Sequence, residues 1–187
     1  MENLREGEKL KKSNKKVLLM ISRMFDYENR IIFELKQRGY DITFIDLELP
    51  RYNDARKIKN PFVRLYNNKY LKKFKKIDLK DKLQGKKIIE DLKNWGKSYD
   101  IFLKIGCIYL GEDLLKYLRK EIPVCISYHW DSSKKADKCN FELEKKYFNQ
   151  VFSFDKEDVE NYNLKYLTNF YFNRNLSNME HSCIIKK

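Results

Sequence analysis

Histidine, tryptophan and proline are scarce in these 187 residues, with two, two and three copies. Glycine occurs six times, and never in the GxGxxG or GxxxxGK[ST] arrangements that cradle phosphates. Tight dinucleotide or Walker-type binding therefore drops out. The four cysteines, Cys107, Cys125, Cys139 and Cys183, form no CxxC pair, which predicts reduced thiols rather than a disulfide or metal framework. His181 has no partner at metal spacing, so no zinc site is expected. Long apolar runs are missing as well. The stretch Val17 to Ile21 ends at Ser22 and Arg23, too short for a secretory signal or a membrane span, and the sequence predicts a cytoplasmic protein. There is no internal repeat and no helix-turn-helix, RNP or zinc-finger signature.

The composition supports a core. At 42% hydrophobic and 36% charged, the chain predicts one folded domain over 16–172, between a basic leader (1–15) and a weakly ordered tail (173–187). Its net charge of +13 is uneven, since fifteen Lys or Arg stand against four acids between Arg56 and Lys97. Such a patch concentrates anions, whether lipid head groups, nucleotide phosphates or nucleic acid, or it is only a solvated lysine-rich face.

Hydrophobic patterning predicts alternating strands and helices. "KVLLMI" (16–21) is a continuous apolar run, the mark of a strand buried on both faces. Ile31, Ile32 and Leu35 recur at helical spacing up to Gly39, a left-handed cap, and "YDITFIDL" (40–47) is a second strand. Residues 48–60 read as loop. A basic helical insertion follows at about 61–97, its first helix carrying an aromatic stripe expected to face the core. Alternation then resumes with strands at 99–106, 122–130 and 150–154, helices at 111–121, 138–148 and 155–163, and a last strand within 164–172. The expected fold is α/β, Rossmann-like and doubly wound, with a mainly parallel sheet.

In such sheets ligands lie beyond the carboxyl ends of the strands. That rule selects the loops "SRMFDYE", "KIGC", "YHWDSS" and "SFDKED". In the first, Arg23, Asp26 and Tyr27 can hydrogen-bond a ligand, or Asp26 caps the following helix. In the third, Asp131 or His129 can take a proton from an attacking hydroxyl, and Trp130 offers a flat apolar face to a sugar. The plainer alternative makes Trp130 a core plug and Asp131 a cap. Ser153, Asp155 and Asp158 all suit helix capping.

Four stretches, "KVLLMISRMFDYENRIIFELKQRGYDITFID", "YDIFLKIG", "ISYHWDSS" and "VFSFDKEDVENYNLKYLTNFYF", together resemble the amino-terminal half of bacterial capsular polysaccharide or lipopolysaccharide biosynthesis proteins. This is a glycosyltransferase-like group related to CgeB-type proteins. The resemblance covers about 16–172 and implies a GT-B N-terminal-type domain handling the acceptor. It implies that Asp26, Lys104, Gly106, Trp130, Ser132, Ser153, Asp155 and Asp158 line or shape the acceptor side. Asp131 would be the base, with His129 a departure from the apolar residue expected there. No cofactor would be bound tightly. A nucleotide-sugar donor would come with a second domain or partner, since the donor-binding half is expected to be missing after "YFNRNLSNMEHSCIIKK". Expected partners are a glycan or lipid-linked acceptor and, through the basic helices, the anionic inner face of the membrane. Two other readings use the same features: a basic nucleic-acid-binding module, and a non-catalytic glycan-binding partner subunit.

Overall fold

The computed structural model describes residues 14–21, 26–55, 57, 59–66, 79–134 and 139–169. Arg23, most of the leader, residues 67–78 of the basic insertion, His181, Cys183 and the tail lie outside them. Six strands form one all-parallel sheet: β1 (Lys16–Ile21), β2 (Asp41–Ile45), β3 (Ile101–Ile105), β4 (Val124–His129), β5 (Gln150–Ser153) and β6 (Lys165–Tyr166). Their spatial order is β2-β1-β3-β4-β5-β6, so the connections reverse direction between β1 and β3. Among the described residues seven helices complete the fold: α1 (Tyr27–Gln37), α2 (Pro50–Ala55), α3 (Pro61–Tyr66), α4 (Leu79–Trp95), α5 (Glu112–Glu121), α6 (Phe141–Tyr147) and α7 (Lys156–Tyr162). The chain has the expected Rossmann-like, doubly wound α/β fold.

Alternation along each strand sends successive side chains to opposite faces of the sheet. Leu18, Met20 and Phe102 pack with Ile88 and Leu92 of α4, Leu114 and Leu118 of α5, and Phe141 of α6. Leu19, Ile21 and Ile105 turn the other way, toward Tyr27, Ile31 and Ile32 of α1. A strand flanked by helices on both faces must be apolar throughout, which explains why Val17 to Ile21 lack a polar residue. Gly39 (φ 85°) and Gly96 (φ 58°) end α1 and α4 in left-handed geometry that favours glycine.

Three local expectations change. Residues 48–60 are not all loop, because Pro50 opens α2 where a missing N–H costs nothing, and Tyr52 of that helix is fully buried. The described part of the stripe at the start of the basic insertion does not face the core: Phe62 is 81% and Leu65 63% exposed on α3, while Tyr70, Leu71 and Phe74 lie outside the described residues. Helical spacing makes a stripe, but it supplies no partner to bury it. Among the described residues the last strand, expected within 164–172, is two residues long. No helix among the described residues is long and apolar enough to cross a membrane.

Candidate functional site

The carboxyl ends of β3, β4 and β5 build one rim. Tyr128 pairs with Ile105 on one side of β4, and His129 with Ser153 on the other. Asp131 and Asp155 therefore leave from adjacent strands, two residues past a shared register. Hydrogen bonds knit their loops together. The buried Asp158 carboxylate accepts from the Ser133 backbone N–H at 2.9 Å and from the Ser133 hydroxyl. Lys134 meets Glu157 at 2.6 Å.

Asp155 caps α7, accepting from the Glu157 N–H at 2.9 Å, while Ser153 Oγ accepts from the Asp155 N–H at 3.1 Å. The Ser132 hydroxyl, followed by the Glu157 N–H, holds the Asp155 carboxyl below its usual range. Ser132 Oγ also accepts from the Lys134 N–H. Ser153, Asp155 and Asp158 thus spend their polar atoms on the rim's own architecture. Asp131 differs. It is half-buried, and among the described residues no donor meets its carboxylate. Its backbone carbonyl takes only a long contact from Cys107 Sγ, at 3.8 Å.

Gly106 and Trp130 act together where the strand order reverses. Gly106 follows β3 with φ 91°, and a Cβ there would sit 3.1 Å from the Trp130 ring. The indole lies over this glycine and meets Tyr27 edge-on at 6.0 Å. Only 9% of Trp130 stays exposed. The tryptophan therefore closes the crevice between β1 and β3, and the open sugar-stacking face expected from the sequence is covered. Asp26 differs from expectation too. It precedes α1 in left-handed geometry (φ 63°), and its carboxylate accepts no backbone N–H but takes the Asn29 side-chain N–H at 2.5 Å.

On the opposite face of the sheet lies a buried polar cluster that sequence reading dispersed. His129 is fully enclosed and Lys104 is 1% exposed, so in this conformation neither can touch an acceptor. The physical reason is alternation: His129 and Trp130 are consecutive on an extended strand and point to opposite faces. Glu144 of α6 organises the cluster. Its carboxylate accepts from Lys104 Nζ, Ser127 Oγ and His129 Nε2, each at 2.7 Å. Burial pushes the Glu144 carboxyl up, but Lys104 and His129 outweigh it and hold it at about 2.

A carboxylate only accepts, so Nε2 of His129 carries a proton, and in the neutral ring Nδ1 is then the lone pair. Nδ1 faces Cys107 Sγ at 3.4 Å and Cys139 Sγ at 3.5 Å. The hydrogen bond between the two sulfurs pulls the Cys107 thiol down against the cost of burial, and pushes Cys139 up.

Sequence reading also passed over Glu28 in the first turn of α1. It is buried, and its Oε2 has no hydrogen-bond partner among the described residues. Its place inside a quoted rim loop was the only signal. A cleft of about 260 Å³, lined by Tyr99, Tyr117 and Ile122 among others, opens at the other end of the sheet, before β3 begins. No family model, curated protein or solved structure matched this chain when it was compared with them.

Proposed function

We propose that the chain is the acceptor-side domain of a glycosyltransferase-like enzyme of surface-polysaccharide assembly, with Asp131 as general base. The observation that carries the reading is the Asp131 carboxylate on the rim, which no donor meets among the described residues, beside acids already spent on Ser133 and on the α7 cap. A general base needs an oxygen free to receive a proton and a fixed backbone to aim it. The knitted loops after β4 and β5 provide the fixed backbone. The resemblance of the "WDSS" and "SFDKED" stretches to polysaccharide biosynthesis proteins supplies the substrate class.

In this reading an acceptor hydroxyl lies against Asp131, loses its proton to the carboxylate, and attacks the anomeric carbon of a nucleotide sugar. The nucleoside diphosphate departs from that carbon. A donor-binding domain facing the rim holds the nucleotide, because no phosphate-cradling glycine loop is present in these residues. Lys104, His129 and Ser153 act only as buried support.

The test is amide chemical-shift mapping with oligosaccharide acceptors, followed by transfer assays with a donor-binding domain supplied. Shifts should cluster at Asp131, Ser132 and Asp155, and Asp131→Asn should keep binding while lowering kcat by about 10²–10⁴-fold. An unmoved rim at saturating saccharide, or a fully active Asp131→Asn, defeats the reading.

A further inference from the structure

Cys107, His129 and Cys139 lie outside the reaction proposed above, and no part of that reading depends on them. They stand 22 and 10 positions apart in sequence. Cys107 follows the loop glycine after β3, His129 ends β4, and Cys139 lies just before α6. The two sulfurs and Nδ1 all lie within 4.8 Å of one another.

The two N···S separations suit ligands of one tetrahedral ion. With Zn–S near 2.3 Å and Zn–N near 2.0–2.1 Å, a tetrahedral site has an N···S edge of about 3.6 Å. The two N···S distances here are 3.4 and 3.5 Å. In the neutral ring Nδ1 has a single lone pair, which one S–H can fill, yet two sulfurs stand almost equally close to it. The far side of the ring fits as well. Metal-binding histidines characteristically donate their second N–H to a carboxylate, which fixes the tautomer, and Glu144 accepts from Nε2 at 2.7 Å.

We propose that Cys107 Sγ, Cys139 Sγ and His129 Nδ1 bind one thiophilic divalent cation, Zn²⁺ by its chemistry, with solvent as the fourth ligand. Thiolates and imidazole select zinc over magnesium or calcium. Each thiol gives its proton to water on binding, so two thiolates neutralise the cation. The Lys104–Glu144 pair neutralises itself at 2.7 Å, leaving no net charge in the enclosed cluster. Both cysteines are only half-buried, which leaves the ion a route in and a wet fourth position. The bound ion staples the β3 loop, the end of β4 and the entry to α6.

The experiment titrates Zn²⁺ alone into the full reduced chain after chelator treatment, by calorimetry against a competing chromophoric chelator. Co²⁺ then replaces zinc for visible and near-ultraviolet spectra. We expect one ion per chain, a higher Tm with metal, and a thiolate-to-cobalt charge-transfer band. Cys107→Ser/Cys139→Ser should weaken binding by more than about 100-fold, beyond what loss of an outer partner costs. Cys125→Ser, whose buried sulfur meets the Ile122 carbonyl instead, should change nothing. Absence of binding by the reduced wild-type chain overturns the proposal. So does full affinity in the double variant, or a cobalt spectrum lacking the thiolate band.

Discussion

Replacing Lys104 by methionine removes an ammonium that is 1% exposed and sits 2.7 Å from the Glu144 carboxylate. Methionine keeps most of the unbranched stem, so the perturbation is chiefly electrostatic. Glu144 would keep its bonds from Ser127 and His129 but lose its cation. Breaking a buried pair on one side costs about 3–5 kcal/mol, because a charge is left desolvated and uncompensated. Lys104 and His129 together hold the Glu144 carboxyl at about 2 against the cost of burial; from an ordinary value of 4.5 this corresponds to roughly 3 kcal/mol at neutral pH, of which Lys104 supplies a part.

Glu144→Gln should cost a comparable amount by stranding the Lys104 ammonium. The double variant Lys104→Met/Glu144→Gln leaves no buried charge in the pair, so it should be more stable than the sum of the singles by about 2–3 kcal/mol. Urea unfolding of the four proteins at neutral pH, reduced and with chelator present, measures this coupling. For a chain this size each single variant should melt roughly 10 °C lower. Singles costing under about 1 kcal/mol, or strict additivity, would refute the idea that each charge is tolerated only because of the other.

Gly106→Ala should destabilise the domain by about 1–3 kcal/mol, since it combines a disfavoured backbone angle with a clash against Trp130. Fluorescence in a Trp95→Phe background should report a more exposed Trp130, and unchanged emission and stability would contradict the packing described. Asp155→Ala should cost about 1 kcal/mol through loss of the α7 cap. The Asp155 carboxyl is held below its unfolded value, so this contribution is complete above pH about 4 and fades as pH falls through the folded value. A loss that stays the same at low pH would show that the carboxylate charge is not what matters.

The amino-acid order by itself determined the alternating strands and helices, and with them the parallel sheet and its loaded edge. Val17 to Ile21 form a doubly covered strand, and the left-handed turns after α1 and α4 fall at Gly39 and Gly96, the residue type that takes that angle without strain. Period-two geometry also separates His129 from Trp130, a consequence the sequence already contained. Only the tertiary structure decided which elements meet. Glu144 lies 40 positions from Lys104 and 15 from His129, and α6 brings it over the end of β4. Cys107, His129 and Cys139 converge for the same reason, from three separate segments with no recognisable spacing. Periodicity dictates the direction of a side chain within its own element, but neighbours across elements are chosen by the packing of the whole core. That is also why the apolar stripe of α3 could be read and its exposure could not.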